Sequence, residues 1–225
     1  MNCCILVYAL AVMTGIWSPV HAQFKHAPCA TSLSLPHFKS DSTFSESDNI
    51  LIQKKVLLPL KQSESQFEIR VYSAPYGGHG PVTVIKCEDS LLKIHKYQYF
   101  FSSKNGNKNV AEGYVNLGPI EMGSQRNLYL NTSIVNADAN ETTTAFLQVL
   151  IDNHLFDLPV QAEIETMIQK KHPMLNLKGE NLIHLQIKIG NSYKSMKYSL
   201  SYDATALDIP AYKSLMNIYN VLNKF

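Results

Sequence analysis

The chain has 225 residues, 45% hydrophobic and 17% charged, with 20 Lys+Arg against 18 Asp+Glu and ten each of Gly and Pro. That composition suits one domain, or at most two small ones, with a real core, and it excludes a disordered, collagen-like or disulfide-dense miniature protein. A net charge of +2 supplies no concentrated basic face, so no nucleic-acid partner is expected.

Residues 1–22 read as a secretory signal. Ile5 to Trp17 is an uncharged apolar run, too short to span a bilayer, followed by Pro19 and by Val20-His21-Ala22, where signal peptidase can cut. No Lys or Arg precedes the run, so only the amino terminus supplies its positive end. No other stretch approaches ~20 apolar residues, so no integral membrane segment is expected after cleavage. The expected location is secreted, either extracellular or periplasmic. Cys3 and Cys4 leave with the signal, and Cys29 and Cys87 remain. In an oxidising compartment these read as one disulfide, worth about 4 kcal/mol on the chain-entropy estimate; two free thiols are the alternative. The sequons at Asn131 and Asn140 are glycan acceptors in a eukaryotic secretory pathway and carry no meaning in a bacterium.

Residues 23–49 form a Ser-rich arm or linker with little periodicity. After it the dominant period is two. Phe67, Ile69 and Val71 alternate with Glu68, Arg70 and Tyr72; Val82 and Val84 precede Cys87; Ile94 to Phe101 carries four aromatics. These are strands with at least one buried face. Pro75 to Pro81 is a loop, and Asn105-Gly106 a tight turn between Phe101 and Val110. Leu117 to Gly123 separates two further expected strands, Ala111 to Asn116 and Asn127 to Val135.

Thr144 to Ile151, Asp152-Asn153, and the alternation of Phe156, Leu158, Val160, Ala162 and Ile164 predict a hairpin, with Pro159 marking an edge strand. A helix over 158–171 competes, since Val160, Ile164, Met167 and Ile168 are also helically spaced. A second hairpin turns at Gly190-Asn191, between Ile183 to Ile189 and Met196 to Tyr202. The phrases Leu147 to Asn153 and Leu185 to Asn191 resemble each other at a distance of 38 residues, as two hairpins with the same turn chemistry would. Pro210 starts an amphipathic helix with Tyr212, Leu215, Met216, Tyr219 and Leu222 on one face. The expected fold is all-β: about ten strands in a mainly antiparallel β-sandwich over 50–208, immunoglobulin-like by analogy of pattern only, with the C-terminal helix, 209–225, packed upon it.

No catalytic constellation is recognisable. There is no G-x-S-x-G elbow, and Ser90-Leu91-Leu92-Lys93 lies before a strand, where S-x-x-K spacing loses its geometry. Asp152, His154 and Asp157 read as turn residues, so no metal is expected, and no motif calls for a cofactor. The glycine-rich loop carries Tyr76 and His79, the first place to look for a ligand. Tyr97, Tyr99 and Phe101 share a face that reads either as a binding platform or as core. The chain is accordingly expected to bind a protein partner or a glycan, with Tyr76, His79, Tyr97 and Tyr99 as candidate contacts. A hydrolase built on His79 or Cys87, and a subunit of an envelope or surface assembly, are the competing readings.

Overall fold

The computed structural model describes residues 38, 40, 41, 44, 49–75, 80–88, 91–103, 112–120, 126–136, 141–174, 181–200 and 208–224. Within them lie strands β1 (Phe67–Pro75), β2 (Val82–Glu88), β3 (Leu91–Ser103), β4 (Val115–Pro119), β5 (Arg126–Asn136), β6 (Asn181–Ile189) and β7 (Ser192–Leu200). Four α-helices accompany them: α1 (Ile50–Gln53), α2 (Glu141–Asp152), α3 (Gln161–Lys171) and α4 (Pro210–Lys224). The seven strands form one sheet in the order β4-β5-β3-β2-β1-β6-β7, and every neighbouring pair is antiparallel. The period-two runs that begin at Phe67, Val82, Ile94 and Ile183 thus become strands, and the helix starts at Pro210, whose missing N–H is harmless at that position.

The expected mainly antiparallel β-sheet with a C-terminal helix is present, but among the described residues there is one open sheet and the layer that buries its apolar face is helical, so no second sheet of a sandwich is seen there. The strand expected at 144–151 lies in α2, and that expected at 156–165 is the end of a 3-10 turn, Leu155–Asp157, followed by the start of α3. Burial explains the outcome: Leu147 and Leu150 of α2 and Ile164 and Ile168 of α3 point inward at helical spacing, whereas Val160, which an inward strand face would bury, is 54% exposed. Pro159 cannot donate to a strand ladder. One residue later the Val160 amide donates to the Glu163 carboxylate over 3.2 Å, helping to start α3. Asn153 and His154 do reverse the chain, but as the end of α2, with His154 in the left-handed region at φ 56°. Leu117-Gly118-Pro119 lies inside β4 instead of separating two strands, and Gly118 at φ 81° sits at an irregularity in its pairing with β5. The Asn105-Gly106 turn is outside the described residues.

The hairpin at Gly190-Asn191 is present. Ile189 pairs with Ser192, and Gly190 at φ 57° takes the positive φ that the first centre of such a turn requires. Under the helices, Ile69 and Val71 of β1, Ile85 of β2, and Leu185 and Ile187 of β6 meet Leu150, Leu155, Ile164, Leu215 and Ile218 in one continuous core. Hydrogen bonds fasten β7 to this layer: Tyr198 Oη donates to the Pro159 carbonyl (2.9 Å) and Lys194 Nζ to the Phe156 carbonyl (2.6 Å).

Candidate functional site

The opposite face of the same strands has a different chemistry. Alternating with the core residues of β1 are Glu68, Arg70 and Tyr72, and the register sets Lys86, Val84 and Val82 of β2 on one side of them. On the other side lie Lys188, Gln186 and His184 of β6. Glu68 is therefore flanked by a lysine on each neighbouring strand, the cross-strand arrangement that favours opposite charges.

Residues 49–65 roof this face. The Asn49 side chain accepts the Leu51 amide (2.8 Å) and starts α1. Leu51 and Leu57, with Ile50, Ile52 and Val56, pack on Tyr72, Val82, Val84, Tyr97 and Leu130. Between roof and sheet lies a cavity of about 640 Å³, lined by Val56, Leu57 and Leu58, by Ser63, Glu64 and Ser65, and by the strand residues Glu68, Arg70, Lys86, Cys87, Glu88 and Tyr97.

The charged groups here are joined in a network. Arg70 Nε donates to Glu68 Oε1 over 2.6 Å, with both side chains only 2% exposed. Ser63 Oγ donates to Glu68 Oε2, and Lys188 Nζ donates to the Ser63 carbonyl. Lys86 Nζ lies 2.5 Å from Glu88 Oε1, while His95 Nε2 and Lys93 Nζ lie 3.0 and 3.7 Å from Glu88 Oε2. Tyr72 Oη donates to Gln186 Oε1 (3.1 Å), and its ring stacks on His184 at 5.3 Å. Arg70 Nη1 is buried without a partner, the one such side-chain nitrogen or oxygen among the described residues.

Titration follows from these surroundings. Burial works against the Arg70 charge, but Glu68 and Tyr72 beside it leave its pKa raised. Burial would lift Glu88, yet Lys86 and His95 bring its carboxyl below the ordinary value. Burial lowers His95, and Lys86 adds to this against the pull of Glu88. Burial likewise pushes the Tyr97 hydroxyl up and Lys188 down. The result is a set of fixed charges facing a cavity with an aliphatic and aromatic wall, an arrangement suited to holding a polar ligand.

Of the residues singled out in the sequence, Tyr97 lines this cavity and is 8% exposed. Tyr99 is half-buried beside the same apolar cluster, with its ring 6.0 Å from Phe101. Tyr76 and His79 lie outside the described residues. Cys87 is disulfide-bonded, and Cys29 lies outside the described residues. Asn131 is half-buried within β5, and Asn140 is outside. Glu68, Arg70, Lys86, Glu88 and Lys188 were not singled out. In the sequence Glu68 and Arg70 stood only as the polar half of the alternation that became β1. Among the described residues, no group of three or more His, Cys, Asp and Glu is placed to hold a metal ion, and no helix is long and apolar enough to cross a membrane.

No protein-family model matches the sequence, and no curated protein matches it significantly.

Proposed function

We propose that the protein is a secreted or periplasmic binding protein that seats a glycan in the cleft between residues 56–65 and strands β1 to β3. The observation that carries this reading is the cavity of about 640 Å³ with its mixed lining, a size typical of sites for small ligands. A sugar offers C–H faces and hydroxyls together. Val56, Leu57, Leu58 and the Tyr97 ring match the first, and the serines and charged groups match the second. The secretory address rests on the apolar run Ile5 to Trp17 and the site at Ala22.

Recognition of a protein by strand addition is less favoured, because both ends of the sheet are guarded. Tyr193 of β7 exchanges hydrogen bonds with Asp41 N (2.7 Å) and Ser40 Oγ (3.0 Å), and the Ser199 amide donates to Gln161 Oε1 (3.2 Å). On β4 the pairing is irregular and Lys54 Nζ occupies the Pro119 carbonyl (2.5 Å). Such devices blunt edge strands. A hydrolase using Cys87 is likewise disfavoured, since a thiol held in a disulfide is no nucleophile. Cys29 is the proposed other half of that bond, and peptide mapping of non-reduced protein tests it.

The function test is retention of immobilised Gln23 to Phe225 on a glycan panel, with Leu58→Trp as control. Leu58 is 56% exposed at the cavity, so the larger ring fills the mouth with little effect on melting temperature. Retention of a defined glycan, abolished by Leu58→Trp, is expected. No retained glycan, or retention indifferent to the filled mouth, overturns the reading.

A further inference from the structure

We infer that the cleft takes its ligand by a carboxylate, to which Arg70 Nη1 donates; this rests on the proposed reading of the cleft as a ligand site. The Arg70 side chain is 2% exposed and spends its Nε on Glu68 Oε1 at 2.6 Å, while Nη1 is buried with no partner. A hydrogen bond left unmade by a buried cation costs more than one left unmade by a neutral group. A site that keeps such a donor beside a cavity it helps to line is short of an acceptor.

The neighbouring carboxylates do not supply one. Glu68 uses Oε1 on Arg70 and Oε2 on Ser63, and Glu88 uses Oε1 on Lys86 and Oε2 on His95. Glu64 is exposed and has the bulk solvent around it. Tyr72 hydrogen-bonds the same guanidinium yet Nη1 stays unpartnered, and an oxygen brought by the ligand would supply its acceptor. A planar guanidinium whose free edge faces such an oxygen favours a carboxylate or another oxyanion over a neutral group, because charge-assisted bonds are roughly twice as strong.

The charge balance selects among oxyanions. Glu64, Glu68 and Glu88 line the cavity with Arg70 and Lys86, and Lys188 and Lys93 stand against Glu68 and Glu88, so the small positive excess suits one negative charge on the ligand better than two. A singly charged carboxylate satisfies Nη1 at less cost than a phosphate dianion. Nη1 is buried from water, so no solvent competes for the bond once it is made.

The two arginines of the chain, Arg70 and Arg126, make the test direct. Protein labelled with 15N-arginine shows two sets of guanidinium signals, and Arg126→Lys, at an exposed position, assigns them. Sodium acetate, acetamide and inorganic phosphate are titrated at pH 7 and constant ionic strength. The expected result is a saturable shift of the Arg70 signals with acetate, at least tenfold tighter than with acetamide or phosphate, while Arg126 stays still. Leu58→Glu, which adds a negative charge at the mouth on an exposed position, weakens the acetate response several-fold. Arg70 signals that ignore acetate, or that follow acetamide or phosphate as closely, overturn the inference. If that happens while glycan retention still depends on an open mouth at Leu58, the carboxylate is wrong and the cleft reading survives; if retention is also absent, both fall.

Discussion

One sheet buries its two faces by different means. Beneath α2, α3 and α4, the strands present Ile69, Val71, Ile85, Leu185 and Ile187, which need only to be removed from water. Beneath residues 49–65, the same strands present Glu68, Arg70, Gln186 and Lys188, all buried, and each of these needs a partner. The apolar face is forgiving, because its cohesion is a sum over area. The charged face is not: removing one member leaves its partner buried and uncompensated.

The largest effect expected follows from that asymmetry. Arg70→Met leaves the Glu68 carboxylate, 2% exposed, without its main counter-charge, and urea denaturation is expected to show a loss of about 3–5 kcal/mol. Converting both, Glu68→Leu with Arg70→Met, is expected to restore most of that loss, since apolar replacements of a buried pair are often neutral. A double variant as unstable as the single one would mean that the pair is bound into the wider lysine and serine network and cannot be removed alone. On the other face Leu150, fully buried, is expected to cost about 2–5 kcal/mol on replacement by Ala, according to how far the core collapses into the cavity. There no second charge deletion rescues it.

A smaller effect separates the faces by pH. Burial, with Lys197 adding to it, holds the His184 ring down at about 4. An unfolded histidine protonates near 6.5, so between those values the unfolded chain binds the extra proton. Stability therefore rises with pH across that window and is lost as the pH falls from about 6.5 to 4. The loss is about 1–2 kcal/mol once solvent around the half-buried ring is allowed for. In denaturation midpoints measured from pH 7 to 4, His184→Gln is expected to flatten this segment of the profile. An unchanged slope would assign it to other groups, such as Glu88, whose lowered carboxyl also loses stability as acid is added.

The same contrast explains what could be read from the sequence. Leu147-Gln148-Val149-Leu150-Ile151-Asp152-Asn153 and Leu185-Gln186-Ile187-Lys188-Ile189-Gly190-Asn191 have nearly one pattern, yet the first is helix and the second strand and turn. Locally they are hard to tell apart. What differs is continuation: Ile183 before the second phrase and Met196, Tyr198 and Leu200 after it extend the alternation, all buried in one core. Around the first phrase the buried positions run Leu147, Leu150, Leu155, and a strand would put the exposed Val160 inside. Alternation was thus legible in β1, β6 and β7, as was the helix at Pro210, whereas the equally long alternation from Phe156 to Ile164 gave way to helix because tertiary packing decided it. Of the cleft, Tyr97 was legible as an aromatic on a shared face. Glu68 and Arg70 were visible only as the polar half of an alternating strand, a pattern that normally faces water. Their burial depends on the roof, and no local pattern announces that residues 49–65 fold back over β1.

That dependence supports the smallest prediction. The roof rests on the short α1, begun by the Asn49 side chain on the Leu51 amide. Asn49→Ala removes that cap at a cost of about 1 kcal/mol. If the roof were one cooperative unit with the helical core, the change would lower the protection of every amide together. The roof, however, contacts the sheet through its own apolar cluster around Leu51 and Leu57, distinct from the core beneath the helices. Its opening is therefore expected to be local. Hydrogen exchange should show faster exchange at Val56 and Leu57, whose amides donate to the Leu51 carbonyl, with β6 and β7 unchanged. Local opening would also expose Arg70 to an incoming ligand, so the variant is expected to bind acetate and release it faster at nearly unchanged affinity. Uniform loss of protection would instead make the two faces one unit, and the cleft would then open only when the protein unfolds.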